Sequence, residues 1–117
     1  DRYNSGHANR YEKNLVHLIN TLRNEFKAPD AKFVIGTLGQ TSRDTSHKNE
    51  RLILNAQLAV DGEAGKYSQF KGNVSTVYTH PLSQGGASNS HYNGNAQTYM
   101  DIGLAMGKSM LNLLGGK

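Results

Sequence analysis

Hydrophobic positions along the chain follow two different periods, and they alternate. Between His7 and Lys27 the apolar residues Tyr11, Leu15, Leu18, Ile19, Leu22 and Phe26 recur at steps of three and four, the signature of a helix with one dry stripe. Glu12, Lys13, Asn20, Arg23 and Asn24 fall on the opposite, wet side. Ala28-Pro29-Asp30 is expected to end this helix, because proline disfavours helical geometry in the residue before it. Phe33 to Leu38 is a short apolar run rich in β-branched residues and followed by glycine, which predicts a strand buried on both faces. Gly39 to Asn49 is polar and longer than a simple connection requires, so it is expected to carry a site. A second helix is predicted over Glu50 to Gly62, with Leu52, Ile53, Ala56, Leu58 and Val60 as its apolar surface. Asn73 to Thr79 is the second strand and His80 to Gly94 a polar loop. The last helix is expected over Asn95 to Leu114, with Tyr99, Ile102, Met106, Met110 and Leu113 facing inward and Gly115-Gly116 as its stop. Gly103 and Gly107, four apart beside that stripe, would let it approach a sheet closely.

The predicted order is α-β-α-β-α. Strands separated by helices imply crossover connections and a parallel sheet. Two strands alone make a poor sheet with open edges, so further strands are expected from sequence outside this stretch. The 117 residues fit part or all of one domain with a real core.

Composition narrows the function classes. Hydrophobic residues at 36% and charged residues at 19% suit an ordinary globular protein, and no apolar run approaches the ~18–20 residues of a membrane helix. No leader pattern is visible, although a start on Asp1-Arg2-Tyr3 rather than methionine suggests a longer precursor. Zero cysteines exclude disulfides, thiolate metal sites and cysteine nucleophiles. The net charge of +4 is spread along the chain (Arg2, Arg10, Lys13, Arg23, Lys27 and onward) without a basic patch, so nucleic acid is not an expected partner. His7, His17 and His47 lack metal-ligand spacing, and Met100, Met106 and Met110 lie at core spacing; neither a metal nor a cofactor is expected.

The densest polar cluster, Ser83 to Asn95, follows the second strand, and ligands in open α/β sheets bind outside the carboxyl ends of strands. His91 sits there, and histidine as a residue type titrates near neutrality, which suits it to a general base; the alternative is a surface histidine that only hydrogen-bonds. Gln40 and Thr41 leave the first strand at its carboxyl end, and Gln40 is a candidate substrate contact. Asn93 is a second one. Asn95 either lines the same pocket or N-caps the last helix. Gly85-Gly86 is a turn rather than a phosphate cradle, since no P-loop pattern accompanies it. His80, before Pro81, is expected in a solvated turn.

Ser90-His91-Tyr92-Asn93-Gly94-Asn95-Ala96-Gln97-Thr98-Tyr99, running on to Ile102-Gly103-Leu104-Ala105-Met106-Gly107-Lys108, resembles the carboxyl-terminal signature of sialate-O-acetylesterase-like domains. These are similar to family 6 carbohydrate esterases within the SGNH, or GDSL-like, hydrolases. Tyr11 to Leu15 leading to Leu22-Arg23, Phe33 to Gly36, and Asn55-Ala56-Gln57 fit the same family in order, and Asp1 fits the end of its Gln-Gly-x-x-Asp block. The resemblance implies a three-layer α/β/α flavodoxin-like fold, of which residues 1–117 form the carboxyl-terminal portion. It implies deacetylation of sugars, an acetylated carbohydrate as partner, and a secreted or periplasmic setting. The family's nucleophilic serine follows its first strand in a Gly-Gln-Ser-like turn that this stretch lacks, so an amino-terminal segment of the same domain is an implied partner. His91 matches the family's base. The family's acid, three residues before that histidine, is replaced by Ser88, which cannot supply charge; Asp44 is a candidate substitute. Two other readings stand beside the esterase: a non-catalytic carbohydrate-binding relative, which Ser88 favours, and an unrelated flavodoxin-like binding domain.

Overall fold

In the computed structural model the chain folds as a small mixed α/β domain. Its elements are α1 (Ser5–Glu25), β1 (Phe33–Gly36), α2 (Lys48–Ala59), β2 (Val74–Val77) and α3 (Ala96–Leu113), with 3-10 turns at Ser68–Phe70, His80–Leu82 and Ser88–Gly94. The structure describes residues 1–86 and 88–115, and only the backbone of 88–90. Gly116, expected in the final stop, lies outside the described residues.

β1 and β2 pair in parallel, Phe33 opposite Val74 and Gly36 opposite Val77. The pleat sorts their side chains. Phe33, Ile35 and Val74 point to a core built with Ile19, Val60 and Phe70, on the side of α1 and α2. On the other face a Cβ on Gly36 would stand 3.3 Å from the Met106 sulfur, and Ser109 Oγ donates to Ser75 Oγ at 2.8 Å. α1 and α2 therefore cover one face and α3 the other. The strands are shorter than the sequence predicts, because side chains take over the pairing at their carboxyl ends. Thr79 N donates to Thr37 Oγ1 at 3.0 Å and Thr79 Oγ1 to the Thr37 carbonyl at 2.8 Å.

Several expectations need correction. α1 ends before Pro29 acts: Lys27 takes a left-handed φ of +50°, while Ala28 N donates to the Arg23 carbonyl at 2.9 Å and Lys27 N to that of Asn24 at 3.1 Å. This is a Schellman cap. Leu18 and Phe26, expected in the inward stripe, are 52% and 76% exposed, because a sheet two strands wide covers only part of a 21-residue helix. Arg23, expected outside, is buried. Its guanidinium donates to the Ala31 carbonyl and to Asn73 Oδ1, both at 2.8 Å, and lies over the rings of Phe33 and Phe70. All four β1 residues are half-exposed rather than buried, since each strand keeps one free edge. Gly103 and Gly107 do not meet the sheet: nothing lies within 4 Å of where their Cβ atoms would be. Ile102, Met106, Met110 and Leu113 are the half-buried side of α3, whereas Tyr99, placed with them by the sequence, is exposed.

Candidate functional site

The carboxyl ends of both strands open onto the same two loops. The first, after β1, is held at many points. Leu38 N donates to Gln57 Oε1 at 3.3 Å, and Gln57 Nε2 to the Tyr11 hydroxyl at 3.2 Å, so this buried glutamine joins the loop to α2 and α1. Thr41, fully buried, donates to Glu50 Oε2 at 3.3 Å, and Glu50 is itself buried in a 2.6 Å ion pair with Arg2. Arg43 N donates to the Tyr78 hydroxyl at 3.0 Å, with the Arg43 guanidinium over the same ring. A polar loop this heavily tied presents its side chains in a fixed arrangement, which a binding site requires.

The second loop, after β2, begins with the 3-10 turn His80–Leu82. His80 Nδ1 lies 2.8 Å from the Gly39 carbonyl. A carbonyl only accepts, so Nδ1 carries the proton, and in the neutral ring Nε2 is the basic nitrogen. The Asp44 carboxyl is held below its ordinary range by a hydrogen bond from the Ser42 hydroxyl first, and further by its own backbone N–H and by the field of His80. The hydrogen-bond partner of the Asp44 side chain is the Ser42 hydroxyl in its own loop. Ser83 Oγ donates to the Thr79 carbonyl at 2.9 Å.

His91 lies in the following turn with its side chain exposed and φ of +51°; Tyr92 and Asn93 also have φ of +50° before Gly94 at +69°. Such left-handed backbone costs a non-glycine residue roughly 1–2 kcal/mol, so tertiary contacts must hold it. Several do. Tyr99 Oη donates to the His91 carbonyl at 3.1 Å, Asn95 N donates to the Tyr92 carbonyl at 3.0 Å, and the Tyr92 ring meets Tyr99 edge-on at 5.6 Å. The buried Thr98 hydroxyl accepts from Gln84 N and donates to the Gln84 carbonyl, clamping the loop's entry to the start of α3.

Tyr92 brings the two loops together. Its hydroxyl and Ser83 Oγ both crowd Gly39, so any side chain added there would have to push the Tyr92 ring and Ser83 aside. His91 precedes Tyr92 and Gln40 follows Gly39 in the chain, so their backbones flank this seam between the loops. Gln40 is half-buried. Asn93 is exposed, and its amide donates to the Gly85 carbonyl at 2.5 Å. Asn95 is the N-cap of α3, accepting from Thr98 N at 2.9 Å, which decides between its two sequence readings. The side chain of Ser88, at the position of the family's acid, lies outside the described residues.

The sequence did not single out His80, Tyr92 or Thr98. His80 carried a usable signal, a histidine three residues past an apolar strand; Tyr92 and Thr98 gained their roles only from a loop folding back on another. Among the described residues no cluster of three acidic or histidine side chains could hold a metal ion. Compared with family models, with curated proteins and with solved structures, the chain matches none.

Proposed function

We propose that this chain is the carboxyl-terminal portion of a carbohydrate O-acetylesterase of the SGNH type, with His91 as the general base. The observation that carries the reading is the seam at the Gly39–Tyr92 contact. It lies past the carboxyl ends of two parallel strands, where such folds bind ligands, with His91 next in the chain to Tyr92 on one loop and Gln40 next to Gly39 on the other. The order of family-like segments along the sequence supports the same reading.

In this reading the nucleophilic serine comes from an amino-terminal segment of the same domain. The His91 imidazole takes the hydroxyl proton as the serine oxygen attacks the acetyl carbon. The proton passes to the departing sugar oxygen, and water then releases acetate from the acyl-enzyme by the same route. Gln40 contacts the sugar. Asn93 is placed beside it in the reading, although its amide is already engaged with Gly85.

A second reading, a carbohydrate-binding relative without catalysis, draws on Ser88, because a neutral residue at the acid's position leaves the histidine's charged form unsupported. One experiment separates the two. The protein extended through its preceding sequence is assayed on acetylated sugars, as wild type, His91→Ala and Ser88→Asp. The esterase reading expects His91→Ala to lower kcat by about 10³-fold with KM little changed. Retention of more than about a tenth of kcat would exclude a general-base role, since proton transfer contributes at least ~10²-fold. An inactive wild type that binds the sugar, and gains turnover in Ser88→Asp, would establish the second reading.

A further inference from the structure

α3 has two apolar sides, and the sheet uses only one. Ile102, Met106, Met110 and Leu113 turn toward the strands. Met100, Leu104, Leu111 and Leu114 are between 59% and 66% exposed, and the first three line an open groove of about 530 Å³ that also takes in Gly107 and Lys108. Large side chains lined up in water mark an interaction surface rather than ordinary scatter.

The spacing says what kind. Positions 100, 104, 107, 111 and 114 step by four, three, four and three, the a/d seam of a coiled coil. The groove therefore fits another helix, and Gly107, with nothing near its Cβ position, is the hole into which a facing leucine goes. With Leu104 and Leu111 at a positions, Asp101 and Lys108 both fall at e. Parallel helices would set these against g′ residues, which are Gly103 and Met110 and carry no charge. Antiparallel helices set e against e′, so Asp101 meets Lys108 of the facing helix and Lys108 meets its Asp101. In the same register Met100 faces Leu111, and Leu104 faces Gly107, on both sides of a two-fold axis. Lys108 has no ion pair among the described residues, and Asp101 accepts only an exposed hydrogen bond from Gln97. The surface is complementary to itself in shape and in charge, which an isologous two-fold contact requires.

We propose that two copies of this chain associate through α3 in an antiparallel pair along Met100, Leu104, Gly107, Leu111 and Leu114. The contact spans about four turns of helix, short for a permanent interface, so the affinity is on the order of micromolar. It is independent of any reading of the catalytic seam.

Sedimentation velocity of the 117-residue chain across roughly 1–300 µM tests this, with far-UV circular dichroism confirming that each variant keeps the wild-type helix content. The expected result is a concentration-dependent shift from monomer to dimer. Leu104→Glu should abolish it. Asp101→Lys alone should weaken it at least about tenfold, by setting lysines against each other twice, and Asp101→Lys with Lys108→Asp should restore it. A monomer at every concentration would overturn the proposal. So would a dimer indifferent to Leu104→Glu, or one that the charge swap fails to restore.

Discussion

At the residue scale the most informative side chain is Arg23. It lies in the helical pattern as a solvated charge, yet the structure buries it among the Ala31 carbonyl, the Asn73 side chain and two aromatic rings. A guanidinium is weakly hydrated and planar, so it survives burial where carbonyls and ring faces receive it. It joins α1 to the segments that enter both strands. Arg23→Met should destabilise the fold by about 2–4 kcal/mol, because it strands those acceptors without partners. Urea unfolding reads this directly, and a change below about 0.5 kcal/mol would mean that water replaces the network. Periodicity could not reveal Arg23, since a period of three and four places the residue beside the stripe and leaves the neighbouring loop undetermined. Gln57 is the opposite case. The resemblance marked Ala56-Gln57, and the structure supplies its physical role, a bridge between the Leu38 amide and the Tyr11 hydroxyl.

At the element scale, α1 is secured to the turn before β2 by one carboxylate. Glu12 Oε1 accepts from the Tyr67 hydroxyl at 2.5 Å and pairs with Lys66 Nζ at 2.7 Å. Burial by itself raises the Glu12 carboxyl, but the hydrogen bonds from Lys66 and Tyr67 outweigh it and hold the group below its ordinary range. A carboxyl depressed in the folded state adds stability above its unfolded pKa and loses it as pH falls through the folded value. The chain should therefore lose stability on acidification below about pH 4, and Glu12→Gln should flatten that part of the curve while changing little of the rest. Thermal melts between pH 3 and 7 would show it, and parallel curves for the two proteins would refute it. The same hydrogen bond raises Lys66, whose contribution is present at neutral pH and fades only as pH climbs through its elevated value. The elements themselves were legible: all three helices and both strands fall where the periods put them, within a few residues at each end. Their ends were less so, because a Schellman cap at Lys27 and the Thr37–Thr79 bonds depend on backbone conformation and on a partner 42 residues away.

At the scale of the whole molecule, the parallel sheet has two strands, each with a free edge, and β1 is half-exposed along its length. Parallel strands are ordinarily buried on both faces and between neighbours. We expect an amino-terminal extension through the natural preceding sequence to raise the melting temperature and sharpen the transition, by adding strands to a free edge. Calorimetry of the chain with and without that extension tests it. Identical melts would mean that two strands and three helices are already the complete cooperative unit.

The sequence by itself determined the order of elements, the parallel sense of the sheet and the placing of His91 and Gln40 on loops after strands. Each follows from local period or crossover length, which a short window of residues contains. Tertiary structure alone decided that Arg23 goes inside, that His80 rather than a free turn holds the Gly39 carbonyl, and that Tyr92 closes the seam between the loops. It also decided that Tyr99, on the same predicted stripe of α3 as Ile102, Met106, Met110 and Leu113, stays exposed. Such contacts join residues from separate segments, and no local period records which of them folding brings together.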